Sequence, residues 1–400
     1  MTAILPGATI GILGGGQLGR MVAMAARSLG YRIHVMDPDP SCPARFVVDA
    51  CFEGGWDDAR AAADLARGCD VVTLEIEQVS IACLEAAARY APVRPSAELL
   101  YVIQNRIRQK TWLREHGFPL GPWHAARSEH ELAEAVSALG GRCFIKSAEG
   151  GYDGRSQVRI GTGGSSSYGE EPTASDAWLL LGRQPCVVEQ GLDLDREISV
   201  MVARSPRGET KSFPSATNHH EHQILVWSVI PSLVPSEVEA RAQKLACDIA
   251  DSFTLEGLLA VEMFLTTGGD LLVNELAPRP HNSGHLTIDA SITSQFEQQV
   301  RAVTGLPLGS TQLLRPAAMA NLLGDLWFRQ GQAIEPDWAA ALASHADIKL
   351  HLYGKSEPRP GRKMGHLTAT ADTTADAVAK VRQTRDALCP VSSNLSTPFA

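Results

Sequence analysis

The sequence predicts an α/β protein in three parts: a leading parallel sheet with crossover helices, a larger mixed region, and a small β-rich end. Three observations lead there. Strand-like apolar runs alternate with helix-like runs through residues 1–105. A glycine-rich turn joins the first strand to the first helix. From about residue 308 the pattern changes to short strands followed by one helix. The chain's 400 residues exceed what one hydrophobic core usually serves, which supports several domains.

The elements follow in order. Residues 8–13 read as a strand, 18–29 as a helix and 31–36 as a second strand that ends at Asp37. Residues 57–66 are helical and 70–77 form another strand, so residues 1–105 have a Rossmann-like rhythm. The second region, 106–307, opens within a helix at 104–116 stopped by Gly117 and Pro119. A helix at 129–139 and a strand at 142–146 come next, the strand feeding a glycine-rich run at 149–155. Residues 161–177 are rich in Gly, Ser, Thr and acid and read as a surface loop. Strands are expected at 185–189, 196–203, 225–230, 257–265 and 271–275, with a long amphipathic helix at 237–252. The third region, 308–400, has strands at 316–322 and 347–353 and a helix at 375–388, with a frayed end.

Composition narrows the function. A net charge of −9 argues against nucleic acid or an anionic membrane as partner. No run reaches the roughly 20 apolar residues of a membrane span, and the N-terminus lacks a signal-peptide profile. None of the eight cysteines forms a C-x-x-C pair, so reduced thiols of a cytoplasmic protein are expected.

Three constellations carry chemistry. Gly14, Gly16 and Gly19 form G-x-G-x-x-G between a strand and a helix, with Asp37 at the end of the second strand. Such a turn holds a dinucleotide, holds another phosphate, or only shapes the backbone; Arg20 leans toward a simple phosphate. Second, two apolar strands flank Gly268 and Gly269. A two-residue turn there sets Thr267 opposite Asp270 and Glu262 opposite Glu275. Facing carboxylates repel, and a hard divalent cation is the natural compensation, with Asn274 close by. Third, Lys146 ends a buried-looking strand and is either snorkelling or aimed at an anion. The 150–154 run resembles a flexible flap over polyphosphate, without the G-K-[ST] of a Walker loop. The extended edge at 187–192, with Glu197 beyond it, suits an adenine edge and ribose hydroxyls. His219, His220 and His222 lack a fitting fourth ligand for zinc.

Lys146, the 150–154 flap, the 189–192 hinge, and Glu262 with Asn274 and Glu275 resemble the ATP-grasp superfamily. The runs GGGQLGRM at 14–21, NELAPRPHNSGH at 274–285 and RPGRKMGH at 359–366 are similar to those of the 5-(carboxyamino)imidazole ribonucleotide synthetase family. The resemblance implies a three-domain ATP-grasp architecture, ATP and Mg as cofactors, and a homodimer. It also implies that ATP and bicarbonate carboxylate aminoimidazole ribonucleotide through carboxyphosphate. By the same resemblance, ATP meets Arg106, Lys146, Gly151, Tyr152, Asp153, Gly154, Arg155, Ser156, Gln157, Glu189, Gln190, Gly191, Leu192, Glu197, His220, Asn274 and Glu275. Mg sits on Glu262 and Glu275. The nucleotide substrate meets Gln17, Leu18, Glu75, Tyr152, Asp153, Arg155, Lys355 and Arg362. Arg279, His281, Asn282 and Ser283 line the region where ATP and bicarbonate meet. Asp153 is the candidate proton acceptor, positioned with Tyr152 and Lys355, while Arg279 adds positive charge. Two features depart from the family: Thr217, where a polar or acidic residue is frequent, and a long 161–177 loop. The competing readings are a formyl-phosphate-forming ligase and a dinucleotide-dependent oxidoreductase. The first is disfavoured by 359–366, and the second leaves the acidic hairpin unexplained.

Overall fold

The computed structural model describes residues 2–150, 156–161, 171–221, 223–329 and 331–388. It divides the chain into two units. The first unit takes Met1–Ala97, Ile198–Ala260 and Ala277–Ala400; the second takes Glu98–Glu197 and Val261–Leu276.

The first unit opens with a four-stranded parallel sheet in the order Ala50–Glu53, Arg32–Asp37, Thr9–Leu13, Val71–Leu74. Thr9–Leu13 is buried at every residue, as a central parallel strand covered on both faces should be. Leu13 pairs with Met36 on one side and Leu74 on the other, so three strand ends converge at the glycine turn. Behind them Ile10, Ile12, Val22, Ile33, Val35, Phe296, Val300 and Val303 form one core cluster. Strand Ala50–Glu53 and helix Ile81–Ala88 are additions to the sequence reading. The first is only four residues long, and the second is an alanine-rich helix without a clear apolar stripe.

The unit's other sheet is antiparallel. From Leu194–Arg204, which lies in this unit from Ile198 on, it runs through Ala216–Glu221, Ile224–Ile230, Ala317–Leu323, Lys363–Thr370 and Lys349–Leu352. Lys363–Thr370 is buried through its middle six residues, with Asn321 opposite His366 and Ala320 opposite Leu367. The end of the 359–366 motif is therefore an interior strand, which the sequence reading did not assign.

In the second unit, an antiparallel sheet runs Trp123–Ala126, Cys186–Gln190, Cys143–Ser147, Gln157–Ile160. Ile145, Val188, Leu132 and Trp178 fill its core. Two expectations are corrected here. Residues 174–177, read as loop, begin helix Ala174–Leu180, because Thr173 and Asp176 form a reciprocal capping box. The acidic hairpin has a three-residue loop. The Thr266 amide donates to the Asp270 carbonyl at 2.9 Å, and the Gly269 amide donates back to the Thr266 carbonyl. Gly269 takes φ +87°, the left-handed position that follows a tight turn in such loops. Thr266 rather than Thr267 thus faces Asp270.

Candidate active site

In the second unit, helix Arg106–Glu115 supplies cations along its buried face. Asn105 caps it, accepting from the Ile107 and Arg108 amides. The Asn105 Nδ2 donates to Glu149 at 2.9 Å, and the Arg106 guanidinium donates to the Ser147 and Gly150 carbonyls at 3.0 and 2.8 Å. The base of the expected flap therefore hangs on this helix start.

One turn on, Lys110 Nζ lies 2.5 Å from Glu189 Oε1, and Lys146 Nζ lies 2.6 Å from Glu189 Oε2. Lys146 also donates to the Asn274 Oδ1 at 3.3 Å, and Lys110 to the Asn274 carbonyl at 3.5 Å. Burial alone would raise the Glu189 carboxyl, but the two ammonium groups overrule it and hold it at about 2. Lys146 thus has an anion partner rather than a snorkelling role. The two ammonium groups therefore converge on one buried carboxylate and on Asn274. Beside them Arg106 Nη2 stands 3.4 Å from Glu275, whose side chain is 42% exposed.

Lys110 was not singled out from the sequence. Its signal was a polar buried stripe: Gln109 and Lys110 are buried with Leu113 on one helix face, where an amphipathic helix would place apolar side chains. Around the hinge, the Gly191 amide donates to the Arg142 carbonyl and the Gln190 amide to the Pro122 carbonyl. Arg142 also donates to the Leu192 carbonyl at 3.2 Å. Ser156 accepts at its carbonyl from the Ser147 amide, and Gln157 pairs with Lys146 across the sheet. Glu197 lies on strand Leu194–Arg204 and is partly buried.

In the first unit, the glycine turn is braced by two carboxylates. The Gly15 amide donates to Asp37 at 2.7 Å, while the Gly16 and Gly19 amides donate to the two oxygens of Glu75 at 2.7 and 2.8 Å. Glu75 is 7% exposed, and burial raises its carboxyl above the ordinary range despite those two bonds. A Cβ on Gly16 would stand 2.5 Å from Glu75 Oε1 and one on Gly14 2.3 Å from its Cγ, so the turn closes on this carboxylate only as glycine. The Gln17 and Leu18 amides, in the first turn of helix Gln17–Ser28, have no acceptor among the described residues.

Near this turn, Arg20 Nη1 donates to the Pro43 carbonyl and lies 3.8 Å from where a Cβ on Gly354 would stand. That brings the 14–21 motif next to the 353–363 segment. There Lys355 Nζ donates to the Lys363 carbonyl at 2.7 Å and sits 5.6 Å over the ring of buried Tyr353. Arg362 donates to the Glu357 carbonyl at 2.6 Å. Tyr353 Oη and His366 Nδ1 are 2.9 Å apart, and the His366 ring stacks on His351 at 4.5 Å.

The 274–285 motif ends in this unit too. Arg279 Nε lies 2.7 Å from Glu77, so its charge is held near the strand end that carries Glu75. His281 caps the 3-10 turn Asn282–Gly284, and its ring accepts from the Ser283 amide. Buried Asn282 has no hydrogen-bond partner for either end of its amide among the described residues, an orphaned group of the kind a ligand satisfies. The Gln295 side chain accepts from the His281 amide at 3.0 Å and donates to its carbonyl at 2.7 Å. Gln295 was not foreseen, although Gln295, Gln298 and Gln299 form a buried polar face on a helix that also buries Phe296, Val300 and Val303.

His220 lies on strand Ala216–Glu221 at an irregularity in pairing between His219 and His220. Gly151, Tyr152, Asp153, Gly154, Arg155 and His222 lie outside the described residues. Among the described residues no three His, Cys, Asp or Glu side chains form a metal cage. Glu262, Asn274 and Glu275 offer oxygen donors only. Glu275, nearly half exposed and loosely paired, keeps an oxygen for a cation whose other ligands come from phosphate. The set therefore fits a hard divalent ion in the company of a nucleotide.

Family models match in sequence order: the ribonucleotide synthetase preATP-grasp domain over residues 7–104, the ATP-grasp domain over 111–296, and the phosphoribosylaminoimidazole carboxylase C-terminal domain over 317–380. The chain is 42% identical to the N5-carboxyaminoimidazole ribonucleotide synthase of Bacillus subtilis (strain 168), over 91% of this chain and 92% of that one. Among solved structures it resembles the ADP complex of an N5-carboxyaminoimidazole ribonucleotide synthetase (TM-score 0.87, 39% identity, 96% of this chain and 98% of that one). It also resembles the Aspergillus clavatus N5-carboxyaminoimidazole synthase in complex with ADP and 5-aminoimidazole ribonucleotide (TM-score 0.84, 31% identity, 96% and 99%).

Proposed function

The chain belongs to the N5-carboxyaminoimidazole ribonucleotide synthase family, and from that premise we propose which of its groups carry the reaction. The reaction is the ATP-dependent, ADP-forming carboxylation of 5-aminoimidazole ribonucleotide in purine biosynthesis. The observation that carries our assignment is the Lys110–Glu189–Lys146 chain, two ammonium donors held at one buried carboxylate. Two such donors suit the phosphates of ATP, with Arg106 and the 189–192 hinge beside them.

Bicarbonate is a weak electrophile. In the proposed first step its oxygen takes the γ-phosphoryl group of ATP, ADP leaves, and carboxyphosphate forms. Glu262 and Glu275 would hold Mg, which would offset the negative charge that develops in the transfer. Lys146 orients the nucleotide, and Arg279, held by Glu77, faces the bicarbonate region with His281, Asn282 and Ser283. In the second step the substrate amine attacks the carbon, phosphate departs, and Asp153 takes one amine proton. Tyr152 and Lys355 position the substrate, and Arg155 and Arg362 meet its phosphate.

The glycine turn takes no dinucleotide pyrophosphate on this reading, because Glu75 already holds the Gly16 and Gly19 amides. Gln17 and Leu18 remain to meet the substrate. A homodimer in the cytoplasm completes the proposal, and light scattering tests the dimer.

The deciding assay is ADP release in bicarbonate buffer with and without aminoimidazole ribonucleotide, with NAD titrated alongside. Release stimulated by the ribonucleotide, and no NAD binding, is expected. Unstimulated release, or saturable NAD binding, overturns the proposal.

A further inference from the structure

The residues behind His281 form a continuous buried chain of hydrogen bonds. The Ser228 hydroxyl donates to Asn218 Oδ1 at 2.8 Å, and Asn218 Nδ2 donates to Ser199 Oγ at 2.9 Å. The Ser199 hydroxyl donates to Ser283 Oγ at 2.8 Å, and Ser283 Oγ lies 2.9 Å from His281 Nδ1. Ser228, Ser199 and Ser283 are at most 1% exposed and Asn218 is 7% exposed, so bulk water cannot replace a missing link.

The chain's polarity follows from its two ends. At the histidine end, the Ser283 backbone N–H also points at Nδ1, at 3.4 Å. That hydrogen cannot rotate away, so a proton on Nδ1 would face it directly. Nδ1 is therefore the acceptor, and the Ser283 hydroxyl proton points to it. At the far end, Ser228 has a proton to donate and Asn218 Oδ1 is its acceptor. Reversing the chain would turn the Asn218 amide, and no other acceptor for the Ser228 hydroxyl occurs among the described residues.

The ring is also held in place. The Gln295 amide grips both backbone groups of His281 and donates to His285 Nδ1 at 3.0 Å. That grip needs glycine at 284, where a Cβ would stand 2.4 Å from Gln295 Oε1.

We propose that Ser228, Asn218, Ser199 and Ser283 are positioning residues that hold neutral His281 with its proton on Nε2. His281 then serves bicarbonate and carboxyphosphate as a hydrogen-bond donor, not as a proton acceptor. The donor role rests on the placement of His281 in the bicarbonate region given above. A neutral donor stabilises charge on the anion's oxygens and cannot compete with the dedicated base for the amine proton.

Asn218→Asp tests the polarity. A carboxylate at 218 only accepts, so the Ser199 proton turns toward it, the Ser283 proton turns toward Ser199, and Nδ1 becomes the donor. Ser199→Ala cuts the chain in the middle and serves if the aspartate variant does not fold. The tautomer is read on the full-length protein by long-range 1H–15N correlation with 15N-labelled histidine, His281 being assigned from its absence in His281→Gln. We expect Nε2–H in the wild type and a shift toward Nδ1–H in either variant. The KM for bicarbonate should rise about tenfold, as for a lost hydrogen bond to an anion, with the KM for ATP within twofold. Nδ1–H or an even mixture in the wild type overturns the relay, whatever the kinetics. A tautomer that moves as expected while the bicarbonate KM stays unchanged overturns the donor role and the placement of His281 at bicarbonate.

Discussion

Glu189 is the buried charge on which the nucleotide half of the site turns, and Glu189→Gln tests it most directly. The substitution keeps the shape and removes the anion between Lys110 and Lys146. The wild-type carboxyl is held at about 2 against an ordinary 4.5. At ~1.4 kcal/mol for each pH unit between those values, the pairing contributes on the order of 3 kcal/mol at neutral pH. That agrees in size with the roughly 3–5 kcal/mol lost when one partner of a buried pair is removed. Because the folded value is depressed, the contribution is complete above pH 4.5 and is lost as pH falls toward 2. Urea unfolding of wild type and variant should therefore differ by about 3 kcal/mol at pH 7, and the gap should narrow below pH 4.5. Adding ADP with Mg should stabilise the variant more than the wild type, since phosphate oxygens then supply the missing negative charge. Equal stabilities at pH 7, or a gap that stays constant down to the lowest pH at which both proteins fold, would refute the reasoning.

Other predictions concern single groups. Glu275→Gln should abolish ATP turnover with the far-UV circular dichroism unchanged; turnover near the wild-type rate would reject the metal assignment. Arg362→Ala should raise the KM for the ribonucleotide at least about tenfold, the scale of a lost charge-assisted bond, and leave the KM for ATP within twofold. An unchanged ribonucleotide KM removes that contact from the site. Asp153→Ala should spare bicarbonate-dependent ATP hydrolysis more than carboxylation, compared by ADP and product yields; equal loss argues against a proton-accepting role.

Much of the fold was legible because burial leaves a mark on sequence. Thr9–Leu13 is covered on both faces, so its apolar run could be read directly. The opposite held for Lys363–Thr370, whose Lys, Gly, His and Thr residues do not look like an interior strand. His366 is buried there on an interior strand, with the rings of Tyr353, His351 and His285 against it. The hairpin register failed for a different reason. A Gly-Gly pair permits a two-residue turn or a three-residue loop with a left-handed glycine, and residue types alone do not separate the two. Lys110 belonged to no motif. It could have been found only by asking why the buried face of a helix was polar.

The glycine turn shows most clearly what a motif can and cannot say. Gly14, Gly16 and Gly19 record a backbone shape in which amides converge, and that shape would suit a pyrophosphate. Which anion fills it is decided 59 and 56 positions away, where Glu75 follows strand Val71–Leu74 and reaches Gly16 and Gly19. An added pyrophosphate would have to displace a carboxylate already held by two short bonds. The same bonds tie the turn to the neighbouring strand end, where Glu77 holds Arg279. Glu75→Ala should therefore loosen two things at once: the turn that presents the Gln17 and Leu18 amides, and the strand end that fixes Arg279. The ribonucleotide KM should rise at least about tenfold, with a smaller rise for bicarbonate. If steady-state kinetics instead show both constants unchanged, the carboxylate is a structural plug and the ribonucleotide does not use this turn.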